Sequence, residues 1–256
     1  MPVIDSIVAQ ALRLDMALHE ANARMEARTD DQGLHDLRVK ARRLKSLLRP
    51  IRKLDDVKSL DQAASKFLKL TSPLRDLEVL ANELARKGAT KQARSRQAAV
   101  GSAYAEIVQS PELEQLFAEL DDFPSNLRAA DRNGELRRLK KRISRKLKKQ
   151  LRRLQAALDA PDHDRHKLRI LIKRLRYAHR AYPQLLPISK KTATALMHAQ
   201  AELGDWHDQH LWSQNSSQET DLQPLQADWL TAAAAALEEA ETTIAELRTR
   251  LRRDSE

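Results

Sequence analysis

The segment His35-Asp36-Leu37-Arg38-Val39-Lys40-Ala41-Arg42-Arg43-Leu44-Lys45 returns 131 residues later as His166-Lys167-Leu168-Arg169-Ile170-Leu171-Ile172-Lys173-Arg174-Leu175-Arg176. Of the eleven aligned positions, five are identical and three are Val/Ile or Lys/Arg exchanges. Wound as a helix at about 100° per residue, His35, Arg38, Arg42, Lys45 and Arg49 fall in one sector about 80° wide. Leu34, Leu37, Ala41, Leu44 and Leu48 fill the adjoining sector. The second copy repeats the arrangement, with His166, Arg169, Lys173, Arg176 and Arg180 beside Leu168, Ile172 and Leu175. A basic stripe that borders an apolar stripe lies at the rim of a packed interface, where it can line a groove.

The whole chain agrees with this reading. Its 256 residues suffice for one large domain or two of about 125. Lys and Arg number 46 against 36 Asp and Glu, a net charge of +10, which points to a polyanionic partner. No cysteine occurs, so disulfides, thiolate metal sites and cysteine nucleophiles are excluded. The opening Met-Pro-Val-Ile-Asp has no basic segment followed by an apolar run, and no stretch nears 18 uninterrupted apolar residues. A cytoplasmic protein without membrane spans is the expectation. With five glycines and few aromatic residues, the composition favours helix throughout, and the expected fold class is all-α.

Apolar spacing predicts a helix over residues 3–28. Asp31 is a candidate cap for the motif helix, which runs to about Leu48. Further helices are expected from Ser59 to Leu70, from Leu74 to Lys87 after a break at Pro73, over 91–109, and from Pro111 to about Leu120. Asp121-Asp122-Phe123-Pro124-Ser125-Asn126 reads as the connection between halves. In the second half, helices are expected from residue 135 to about 158, from Pro161-Asp162 through the motif, with Asp162 matching the cap candidate Asp31 at the offset of 131, from Ser189 to Trp212, and from Pro224 to about Arg252. A polar loop separates the last two. Four helices per half suggest two bundles, residues 1–122 and 130–256, duplicated about a pseudo-twofold axis within a single domain.

Each stripe sets its five side chains along about 21 Å of helix, a row suited to a line of anions such as a polyphosphate or nucleic-acid backbone. The plainer reading is a solvated face paired with neighbouring acids. Recurrence of the stripe, where flanking residues drift, favours binding. A second basic feature lies between Arg132 and Arg153, with twelve Lys or Arg residues and one acid, Glu135. There Arg138, Arg142, Arg145 and Lys149 stand opposite a seam of leucines, and like charges one turn apart repel unless an anion relieves them. Arg75-Asp76 and, 132 residues on, His207-Asp208 occupy equivalent places, so Arg75, Asp76, Asp205 and Asp208 are candidates to hold the guanidinium groups in line. The pairs His163/His166 and His207/His210 have a spacing that suits a metal, but pairs alone are weak evidence. No metalloprotease or P-loop motif occurs. No metal site, cofactor or enzymatic activity is expected.

With these motifs the sequence resembles the CHAD family, the conserved histidine α-helical domain. His35, Arg38, Arg42, Arg43 and Lys45 fit its repeated helix, as do His166, Arg169, Lys173, Arg174 and Arg176, with Tyr177 completing the second copy. Arg75-Asp76-Leu77-Glu78-Val79 and Leu203-Gly204-Asp205-Trp206-His207-Asp208 resemble its acidic segments. The resemblance runs from about residue 5 to 252. It implies two four-helix bundles around a basic central channel that binds inorganic polyphosphate, without catalysis, and an association with polyphosphate granules. Some members carry a triphosphate-tunnel domain, for which this chain leaves no room. Lys45 and Lys173 stand where Arg is common, keeping charge but losing the forked donor, and Asp36 adds a negative charge beside the first stripe. Two other classes compete. A nucleic-acid-binding protein is disfavoured by the scarcity of stacking aromatics, three each of Trp, Tyr and Phe. A phosphoanhydride-cleaving enzyme would need metal-holding acids, for which Asp76, Asp205 and Asp208 are the candidates.

Overall fold

A computed structural model describes residues 3–29 and 32–254, helices joined by turns and short irregular segments, with no strand among them. The helices are α1 (Val3–Glu26), α2 (Gly33–Leu48), α3 (Asp55–Leu70), α4 (Ser72–Arg86), α5 (Thr90–Val108), α6 (Pro111–Arg132), α7 (Leu139–Asp159), α8 (Arg165–Ala181), α9 (Lys190–Asn215) and α10 (Gln226–Arg253). A 3-10 turn, Gln223–Leu225, precedes α10. Among the described residues no helix is long and apolar enough to cross a membrane. The cap expected at Asp31 lies outside the described residues.

Two compact units divide the chain, Met1–Ile143 and Ser144–Glu256. The boundary therefore falls within α7, not at the loop read between residues 121 and 126. That stretch is the middle of α6, with Pro124 inside the helix. Pro124 forfeits one backbone hydrogen bond and crowds the preceding turn, at a cost of roughly 3 kcal/mol. Leu113, Leu116, Leu120, Phe123 and Leu127 continue one buried face through it. Burying Phe123 and Leu127 contributes about 3–6 kcal/mol, enough to carry the helix past the proline.

In the first unit, α1 packs on α2 and α6, α3 on α2 and α6, and α4 on α5. Ile7, Leu18, Met25, Leu34, Leu37, Leu44, Phe67 and Phe123 are fully buried among them. Gly33 opens α2 where a Cβ would meet the Met25 Cβ at 2.9 Å, so only glycine allows this close crossing onto α1. Gly88, at φ 78°, ends α4 in the left-handed region, with Ala89 N–H returning to the Leu84 carbonyl at 2.9 Å. The unit holds six helices before α7 begins, so four helices per half is corrected. One reason is local. Thr71 alone separates α3 from α4, and Pro73 lies in the first turn of α4. The corresponding stretch of the second half lacks a proline and continues as the single helix α9.

The second unit contains the rest of α7 with α8, α9 and α10. α9 packs along α10, and α8 on α9. Trp229, fully buried, meets Trp212 with ring centroids 5.9 Å apart. The cap of α8 is Asp164, accepting from Lys167 N–H at 2.9 Å, and not Asp162 at the 131-residue offset. Ser189 caps α9 through Thr192 N–H at 3.1 Å. α9 runs on to Asn215, three residues beyond the expected end at Trp212.

Candidate polyanion-binding clusters

The apolar side of α2 is drawn onto α1 and α3, which rotates the basic edge toward α4. Arg38 is consequently 3% exposed. Its Nη1 donates to the Leu68 carbonyl at 3.0 Å and to the Thr71 hydroxyl, and its Nη2 to the Ser72 hydroxyl at 3.0 Å. These acceptors form the α3–α4 junction, so Arg38 fastens the break between those helices. The spacing placed Arg38 at the rim of a packed interface with the rest of the stripe; it is instead buried within the junction. Burial first, then the neighbouring Arg42, lower its pKa to about 10.

His35 and Arg42 remain half-buried beside it. Burial, followed by the Arg75 charge, pushes the His35 imidazole below its ordinary range. Arg75, from α4, thus completes a cationic cluster with His35, Arg38 and Arg42. Its Nη1 donates to Glu78 Oε2 at 2.7 Å, and the Tyr104 hydroxyl of α5 donates to the other oxygen of Glu78. The acid that holds Arg75 is therefore Glu78, buried at 5% exposure, while Asp76 is exposed and acts electrostatically on Arg38. The i, i+3 spacing could have pointed to Glu78; nothing in the sequence points to Tyr104.

Two further features of the first stripe differ from a free basic edge. Lys45 donates to the Ser65 hydroxyl and lies 3.8 Å from Asp61 Oδ1, so it is tied to α3. Burial lowers its pKa despite Asp61. Asp36, expected to weaken the stripe, accepts from Arg24 Nη2 of α1 at 2.5 Å. Burial opposes ionisation there, but Arg24 and Lys40 more than offset it and hold Asp36 below the usual carboxylate range. Arg43 and Arg49 are half-buried on α2 and at its C-terminal cap.

The second motif builds an analogous cluster. His207 of α9, at the place equivalent to Arg75, brings its ring to 5.7 Å from that of His166 on α8. Burial, then Arg169, His166, Lys173 and His210, lower its pKa to about 4, so the ring is neutral near pH 7. Trp206 stacks on His210 with centroids 5.7 Å apart. Arg176 Nε donates to Gln200 Oε1 at 2.7 Å and its guanidinium lies 4.6 Å from the centre of the buried Tyr177 ring. Arg174 and Arg180 are exposed. Asp205 does not support the guanidinium groups. Burial and Glu239 raise its pKa, and it in turn raises that of Glu202, so it belongs to an acidic group on α9 and α10. Asp208 is half-buried on the same helix.

On α7, Leu139, Ile143, Leu147, Leu154 and Leu158 are buried. Lys140, Arg145, Lys149, Arg152 and Arg153 are exposed and Arg142 is half-buried. Among the described residues, none of these six side chains has a hydrogen-bond or ion-pair partner. Arg138 precedes the helix in a turn, at φ 60°, and is not on the α7 face assigned to it.

The family model described as CHAD domain matches residues 8–217. Among solved structures, the CHAD domain from the plant Ricinus communis aligns with a TM-score of 0.64 and 20% identity, over 98% of this chain and 91% of that one. At that identity the likeness concerns the fold. No curated protein matches the chain.

Proposed function

Since this chain belongs to the CHAD domain family, we propose that it binds inorganic polyphosphate without cleaving it. The observation that carries the reading is the duplicated cluster: His35, Arg42 and Arg75 in the first unit, and His166, Arg169, Lys173 and His207 in the second. In the second cluster, after burial, the groups that act most strongly on His207 are Arg169, His166, Lys173 and His210. A chain of closely spaced phosphates can engage the cations of each cluster at several points together. Arg38 and Tyr177 shape the clusters from behind. Arg142, Arg145 and Lys149 of α7 offer the polymer further cationic contacts. A cytoplasmic setting and association with polyphosphate granules belong to this proposal.

Calorimetric titration with long-chain polyphosphate, beside DNA at equal phosphate concentration, tests it. Polyphosphate binds more tightly, and if about six cations each neutralise one phosphate, log affinity falls with log salt at a slope of roughly −4. The Arg42→Ala/Arg169→Ala/Lys173→Ala variant keeps its helical circular dichroism and loses at least tenfold in affinity. Unchanged affinity removes the clusters from the site. Tighter binding to DNA instead favours a nucleic-acid role.

A further inference from the structure

A separate group of side chains lies where α1 packs against α6. Asp15 and His19 stand one turn apart on α1, and Asp121 comes from α6. One ligand atom from each, an imidazole nitrogen and two carboxylate oxygens, lies within 4.8 Å of the others. The His19 ring is stacked on Phe117 of α6, with centroids 4.0 Å apart and planes at 13°, which fixes its orientation.

Asp15 Oδ1 is enclosed yet has no hydrogen-bond partner among the described residues. It stands 3.4 Å from His19 Nε2. Two ligands of one tetrahedral ion, each with a bond of about 2.1 Å, are held roughly 3.4 Å apart. A cation held between the two carboxylates and the imidazole would supply the partner that Asp15 Oδ1 lacks.

We propose that Asp15, His19 and Asp121 bind a divalent transition-metal ion of the zinc class and so brace α1 against α6. One imidazole with two carboxylates suits zinc or cobalt better than calcium or magnesium, which favour all-oxygen sites. His19 and Asp121 are exposed, which leaves room for water in the remaining positions. None of these residues belongs to the basic clusters, so the site stands or falls independently of polyphosphate binding.

The test titrates the full chain with Zn²⁺ alone against a chromophoric chelator, with Co²⁺ absorption as a second probe. Wild type binds one equivalent that is at least tenfold weaker in both His19→Ala and Asp121→Asn, and Zn²⁺ raises the Tm of wild type only. Histidines elsewhere remain in both variants, so the difference between proteins is the reading. Equal affinity and equal Tm response in wild type and variants overturns the assignment, as does a wild type without saturable binding. Both substituted residues are exposed, and circular dichroism confirms that the variants fold.

Discussion

Arg38 of α2 donates to the backbone carbonyl of Leu68, near the end of α3, at 3.0 Å. Together with its bonds to Thr71 and Ser72, this makes one guanidinium the clasp of the α3–α4 break. Arg38→Ala therefore costs about 2–4 kcal/mol, because hydrogen bonds to a buried charge and its packing are lost together. Arg38→Lys recovers little, since an ammonium cannot span the same acceptors. Chemical denaturation measures both. A loss of polyphosphate affinity at unchanged stability would contradict this role.

His207 makes stability depend on pH in a defined direction. Its folded pKa is lowered from 6.5 to about 4. Below pH 6.5 the unfolded imidazole takes up a proton that the folded one refuses until about pH 4. Stability is thus fully present above 6.5 and falls as pH drops toward 4. Solvent screening keeps the loss near 1–2 kcal/mol, approximately. His207→Gln flattens denaturation midpoints measured between those limits.

Polyphosphate reverses this preference, because bound phosphates favour the charged imidazole. Affinity therefore rises as pH falls from 6.5 toward 5, with proton uptake on binding. In the His35→Gln/His207→Gln variant the calorimetric pH profile is flat. A flat profile in wild type would place both rings away from the phosphates.

The cations of α7 give a salt-dependent test. Replacing Arg142, Arg145 and Lys149 by Gln removes repulsion one turn apart and stabilises the free protein by about 1 kcal/mol at low salt. The same change makes the salt dependence of polyphosphate binding shallower by roughly 2–3 in slope. An unaltered slope would exclude α7 from polyphosphate binding.

Pro124 offers a check on the account of α6. Pro124→Ala restores a backbone donor inside a helix already held by Phe123 and Leu127. Tm rises, corresponding to about 1 kcal/mol, if the helix tolerates the proline and does not require it.

Helix type was legible along most of the chain, and extent outside α6 approximately so, because leucine and alanine recur at helical period and the two motifs mark equivalent helices. The reading failed where a local breaker was outweighed. Asp121 to Asn126 carries turn residues, yet the apolar face of α6 runs through them. It failed again at Asp162, since the backbone direction entering α8 selects Asp164 as the cap.

Sequence alone determined the charge balance, the all-helical character, the duplicated basic edge and the family. These depend on residue type and on spacing along a single helix. Only the tertiary structure decided that Arg38 turns inward to the α3–α4 junction and that Glu78 rather than Asp76 holds Arg75. It likewise decided that His207 joins His166 while Asp205 faces Glu239, and that Asp121 meets Asp15 and His19. Each of these is a meeting of side chains from different helices or across a helix junction. Their distances follow from how apolar faces pack, which no periodicity within one helix encodes.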